Sequence, residues 1–105
     1  MFQDMRFDAK GLQFYEQMSP EGVLGDHVVV NGKIKPFFKV ARRKYRLRLL
    51  NGGPTRYYEF YLVHNGRVRL VIRVSNDDNL FEYPLMNQTK TNLAMSDRGD
   101  ILVDF

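Results

Sequence analysis

The side chains best suited to metal or covalent chemistry are scarce in this 105-residue chain: two histidines, five methionines and no cysteine. The lack of a thiolate removes disulfides, cysteine nucleophiles and every cysteine-bearing metal centre. His27 opens an extended run and His64 stands beside Asn65-Gly66. Two imidazoles so far apart in sequence can meet in space, but a working metal site needs further ligands and an organised outer shell, so both are expected to be solvated or structural. Met5, Met18, Met86 and Met95 are expected to fill gaps or face solvent rather than ligate. The carboxylate pairs Asp77 with Asp78, Asp97 with Asp100 and Glu16 with Glu21 all fall in turn-like stretches, where acidic residues serve the backbone. No Gly-x-Ser-x-Gly elbow or phosphate-cradling glycine loop accompanies the serines and threonines. The expectation is no catalytic residue, no cofactor-binding residue and no metal ligand in this chain.

A different pattern suggests binding. In "KPFFKVARRKYRLRLLNGGPTRYY", from Lys35 to Tyr58, basic and aromatic residues are interleaved as on a nucleic-acid surface. A single-strand binder needs its rings and cations on one face. In "KYRLRL", however, Lys44, Arg46 and Arg48 alternate with Tyr45, Leu47 and Leu49, and alternate side chains of a strand point to opposite faces. The net charge of +4, from sixteen basic and twelve acidic residues, is too mild to argue for an anionic partner by itself. A stand-alone basic β-domain that binds single-stranded nucleic acid or another anionic partner is therefore the second reading. A small enzyme has no matching constellation.

The elements that position these residues follow a period of two. "YYEFYL" places Tyr58, Phe60 and Leu62 on one side; "RVRLVIRV" places Val68, Leu70, Ile72 and Val74 together; "DILVDF" does the same with Ile101, Val103 and Phe105. Turn chemistry separates the runs at Asn31-Gly32, Asn51 to Pro54, Asn65-Gly66, Ser75 to Asn79 and "DRGD". A first strand is expected near Phe2 to Phe7, and Gly11 to Gly25 reads as a long connection. No long window shows a 3.6-residue period, so helix is expected to be little or none. About seven strands in one domain spanning residues 1–105 read as two packed antiparallel sheets or a partly closed barrel, with a Greek-key β-sandwich the preferred form. With 44% hydrophobic and 27% charged residues the chain has the composition of an ordinary globular domain. No apolar run approaches the roughly 20 residues of a membrane helix, so no membrane partner is expected. "MFQDMRFDAK" has acids where an export signal has a basic head, so none is expected here.

The ordered series "FQDMRFDAKG", "GDHVVVNGKIKPFFKVARRKYRLRLLN", "TRYYEFYL" and "LAMSDRGDILVDF" resembles the middle, cupredoxin-like domain of three-domain multicopper oxidases of the bacterial laccase, spore-coat laccase and bilirubin oxidase branch. Its most specific part runs through Gly25-Asp26, Val30-Asn31-Gly32, the aromatic after Pro36, and Arg43 to Asn51. Asn31-Gly32 suits a tight hairpin, Asn51 can close its strand through its own backbone neighbourhood, and Gly52-Gly53 relax the loop that follows. The chain departs from the family pattern where Met95 to Asp100 lack a proline and an aromatic, so Gly99 implies a looser corner. It departs again where Asp78 replaces the glycine of an Asp-Gly turn.

The resemblance implies a copper-free scaffold. In such enzymes the type 1 copper needs a cysteine and two histidines, and the trinuclear cluster needs paired His-x-His motifs, all supplied by the first and third domains. No cofactor is expected in this chain, with copper in the other domains of the parent. The expected partners are those first and third cupredoxin domains, with weak self-association when the chain stands alone. The implied parent reaction is oxidation of phenols or similar substrates coupled to reduction of dioxygen to water. The sequence leaves the compartment open, and the resemblance places only the parent, in the periplasm, the secreted medium or the spore coat.

Overall fold

The computed structural model describes residues 1–15 and 20–105. Met18 and Glu16 therefore lie outside the described residues, as does part of the connection from Gly11 to Gly25. Twelve strands and no helix make up the described chain. One four-stranded sheet has the order β2-β1-β3-β4, from β1 (Phe2–Phe7), β2 (Gln13–Phe14), β3 (His27–Val30) and β4 (Lys33–Ile34). The second has the order β10-β9-β12-β5, from β5 (Lys44–Leu50), β9 (Val71–Asn76), β10 (Asn79–Gln88) and β12 (Arg98–Asp104). β6 (Tyr58–Phe60) pairs with β11 (Thr91–Leu93), and β7 (Leu62–His64) pairs with β8 (Arg67–Arg69). All named strand pairs are antiparallel. The result is the expected all-β architecture.

The strands outnumber the expected seven because long runs are cut. "YYEFYL" is divided at Tyr61, and "RVRLVIRV" is divided at Leu70. The supposed connection also holds a short strand, Gln13–Phe14, which pairs with Arg6 and Phe7. The hairpins obey their turn residues. Asn31 and Gly32 take φ of 49° and 80°, and Asn65 and Gly66 take 50° and 72°, the positive values that a two-residue hairpin turn needs. Asp77 supplies φ of 47° in the turn that joins β9 to β10, so the missing glycine at Asp78 does not prevent that hairpin.

β5 is buried as its alternation requires. Tyr45, Leu47 and Leu49 face inward while Lys44, Arg46 and Arg48 face out. The core joins Leu49, Val71, Leu93, Ile101 and Val103, with Phe2, Leu47, Phe60 and Leu62 packed against it. Each such side chain, taken fully out of water, stabilises by roughly 1.5–3 kcal/mol. Phe2 meets Phe60 at 4.4 Å between ring centres, which packs the first sheet against the β6–β11 pair. The reading of "RVRLVIRV" needs correction: Val71 is in the core, whereas Val68 and Leu70 are exposed. A new strand begins at Val71 with the opposite parity, and the register shift that skips Val74 opposite Asp100 and Ile101 changes the parity again.

Gly25 explains part of the sequence pattern. A Cβ on it would lie 2.2 Å from the backbone nitrogen of Met5 and 2.4 Å from the carbonyl carbon of Asp4. The chain crosses β1 backbone on backbone, so only glycine fits. Gly25→Ala is expected to lower stability by at least about 2 kcal/mol in urea unfolding, because rigid backbone cannot yield as a side chain would. An unchanged midpoint would contradict this close approach.

Candidate functional site

The most organised cluster of polar side chains lies where β1, the end of β5 and the start of β6 meet. Asp4 shares the face of β1 that carries Phe2, and it is buried. Its carboxylate accepts from Gly25 N–H at 2.6 Å, Arg56 Nε at 2.9 Å and Tyr58 Oη at 3.0 Å. Arg56 also donates to the Gly25 carbonyl at 3.0 Å. Asn51, with no exposed surface, closes the other half. Its Nδ2 donates to the Arg56 and Leu93 carbonyls at 2.7 and 3.1 Å, and its Oδ1 accepts from Gly53 N–H at 2.9 Å. Its backbone N–H reaches the Asp97 carbonyl, and its carbonyl accepts from Ser96 N–H. Every buried polar group of Asn51 is thus paired, which is the condition for burying it without penalty.

The electrostatics follow from that geometry. Burial would raise the Asp4 carboxyl, but hydrogen bonds from Gly25, Arg56 and Tyr58 outweigh it and hold the group below its usual value. Burial, and then the Asp4 charge, pushes the Tyr58 hydroxyl up to about 12. This cluster orients and fastens. It lacks a nucleophile beside a base and offers no open position for a reacting atom.

A second buried carboxylate, Asp100, sits on the outer face of the β10-β9-β12-β5 sheet. Arg46 and Arg48 approach it at 2.5 and 3.5 Å, and Ser75 Oγ accepts from its N–H at 3.2 Å. Two of the three outward basic residues of β5, Arg46 and Arg48, are therefore spent on an acid of the neighbouring strand. Asp97 does not join Asp100 in any acid–base pair. It caps the corner by accepting from Ala94 N–H at 2.9 Å. With the two Asn51 backbone bonds, this fastens the corner that Gly99 was expected to loosen.

The remaining singled-out residues are dispersed. His27 Nδ1 lies 2.6 Å from Asp26 Oδ1, with its ring edge-on to Phe7 at 5.7 Å, while His64 ends β7 in a different sheet. Met86 and Met95 are exposed and Met5 is half-buried. Asp77 and Asp78 both face Arg98, at 3.7 and 3.5 Å, and Glu21 is exposed. Among the described residues no three His, Asp or Glu groups gather to hold a metal ion. Sequence reasoning missed Asp4, Arg56 and Tyr58. The available signal was an acid at an inward position of β1, two residues from Phe2.

The chain is 38% identical over 104 residues to the cell division protein FtsP of Xenorhabdus nematophila, a match covering 99% of this chain and 21% of that protein. It is 33% identical over 81 residues to a laccase of Bacillus stratosphericus, covering 77% of this chain and 15% of the laccase. The McoA multicopper oxidase of Aquifex aeolicus superposes with a TM-score of 0.93 at 32% identity, over 99% of this chain and 23% of that one. No family model matches. The chain spans about a fifth of the length of the FtsP relatives it matches. Fold and sequence together define a cupredoxin-like β-sandwich. The chain is a cupredoxin-like domain similar to those of multicopper oxidases.

Two outcomes test the cluster. Asn51→Ala removes the partner of the buried Leu93 carbonyl and Gly53 N–H and of the part-buried Arg56 carbonyl, and is expected to cost about 3 kcal/mol in urea unfolding. The pH profile of stability should have two limbs. The Asp4 contribution is present above its unfolded value of 3.8 and is lost as pH falls below it, because its folded pKa is depressed. The Tyr58 contribution is present below its unfolded value of 10.0 and is lost as pH rises towards about 12. Tyr58→Phe should erase the alkaline limb, and a limb unchanged in that variant would show that other groups cause it.

Proposed function

We propose that this chain is the middle domain of a laccase-like multicopper oxidase, a copper-free spacer that holds the first and third cupredoxin domains in register. The likeness to FtsP, laccase and McoA, each matched over a minor part of its length, supports a parent with further domains. The observation that carries the spacer role is the surface. The chain exposes 8189 Å², whereas a free-standing protein of this mass exposes about 6,100 Å². Its radius of gyration is 15.5 Å, against about 13 Å for a compact domain of this length. The excess, about 2,000 Å², is what two standard interface faces would cover. Much of it is apolar: along β10, Leu80, Tyr83, Leu85 and Met86 are all exposed.

The chain's own residues do not fit a copper centre. A type 1 site needs a thiolate, which the sequence lacks. His27 is engaged with Asp26, and His64 belongs to another sheet. Electron transfer and dioxygen reduction therefore belong to other domains of the parent. This chain's part is to fix their separation and orientation and to line their boundaries. Phenols, aromatic amines, bilirubin-like pigments and metal ions are the proposed electron donors of the whole enzyme.

Two measurements test this reading. The reading frame on either side should encode cupredoxin domains with His-x-His pairs and a His-Cys-His segment; flanks without them would refute the parent. Copper titration of the 105-residue chain should give no intense blue thiolate band, whereas the full-length product should give one and consume dioxygen with a phenolic donor. A full-length product that binds copper but leaves phenols, amines, pigments and metal ions unoxidised would contradict the proposed reaction.

A further inference from the structure

The loop from Pro36 to Ala41, between β4 and β5, concentrates features that neither the core nor the buried clusters use. Phe37 and Phe38 are 88% and 69% exposed, an extreme for adjacent aromatic residues. They border a recess of about 400 Å³ with Val30, Asn31, Lys33 and Pro36. Lys33 lines the same recess, Lys35, Lys39, Arg42, Arg43 and Lys44 flank the two rings in sequence, and no acidic residue occurs between Asp26 and Glu59. None of these six cations makes an ion pair among the described residues. The loop is nevertheless held at its base. Lys35 N–H reaches the Val28 carbonyl at 3.4 Å, Ala41 N–H reaches Tyr45 Oη at 3.0 Å, and the Arg43 guanidinium lies 5.1 Å from the Tyr45 ring centre. Two rings are thus presented on a braced support, so docking them forfeits little conformational freedom.

We infer that Phe37 and Phe38 are the anchor by which this domain seats on a neighbouring cupredoxin domain of its parent, in an apolar recess rimmed by carboxylates. The inference rests on the spacer reading above and adds which surface docks and what chemistry receives it. Three observations select this occupant. The relatives carry about four-fifths of their length outside the matched region, the surface excess calls for covering faces, and the unpaired cations call for acidic complements. Buried aromatic anchors with a charged rim carry most of the energy of such interfaces. Nucleic acid is disfavoured because the cationic track does not continue along the sheet: Arg46 and Arg48 are held by Asp100.

Hydroxyl-radical footprinting tests the inference on the isolated chain and on the full-length product of its reading frame. Phe37 and Phe38 should be labelled freely in the isolated chain and at least about ten-fold more slowly in the full-length protein. Phe37→Ala with Phe38→Ala should leave the melting temperature of the isolated chain unchanged. In the full-length protein it should speed proteolysis at the domain junctions about ten-fold or more, and added salt should act in the same direction. Equal labelling in a full-length protein that does contain flanking cupredoxin domains would overturn this inference alone. A reading frame without such domains would overturn the spacer reading and this one with it. Protection in the isolated chain that grows with its concentration, or on addition of an oligonucleotide, would assign the loop to a second copy or to nucleic acid and overturn it equally.

Discussion

A half-exposed guanidinium, seated on a buried carboxylate, joins the two halves of this domain. Arg56 donates to the Asp4 carboxylate and to the Gly25 carbonyl, and its own carbonyl is held by Asn51. Asp4 belongs to the β2-β1-β3-β4 sheet, Asn51 follows a strand of the β10-β9-β12-β5 sheet, and Tyr58 begins β6. The network therefore spans three of the four sheets. Removing one partner of such a network leaves the others desolvated and unpaired, which costs more than the bond itself gained. The small apolar core, centred on Leu49, Val71, Leu93, Ile101 and Val103, sits beside this polar brace.

This arrangement accounts for the pairing of an ordered interior with an unusually open surface. The brace and the core fix the relation of the sheets without the help of β10 or the Pro36–Ala41 loop. Those elements are then free to carry apolar residues outward, where a self-sufficient domain would carry polar ones. Charges are managed in the same manner. Arg46 and Arg48 are satisfied internally by Asp100, whereas the cations around Phe37 and Phe38 are not. The proposed scaffold role calls for this division: rigid where it would set geometry, incomplete where it would meet neighbours.

Much of the fold was legible because alternation in "KYRLRL" and "DILV", and Asn-Gly in two hairpins, are local signals with local outcomes. The resemblance to a cupredoxin-like domain rested on the same residues. Gly25 and Asn51 stood in that pattern, but their reasons are long-range: a backbone crossing in one case, and contacts to residues 56, 93, 96 and 97 in the other. The face of "RVRLVIRV" was misread because a strand break and a bulge each shift parity, and neither leaves a period-two trace in sequence. Arg56 and Tyr58 gave no sign of their partner, since Asp4 lies more than fifty positions away.

The central claim is that the Asp4 and Asn51 halves act as one unit through Arg56. A double-mutant cycle with Asp4→Asn, Asn51→Ala and the combined variant, measured by urea unfolding, addresses it directly. The account predicts a coupling energy of about 1 kcal/mol or more, since the second substitution acts on a brace already broken. Additivity within about 0.3 kcal/mol would contradict it, and would make the two clusters independent fasteners.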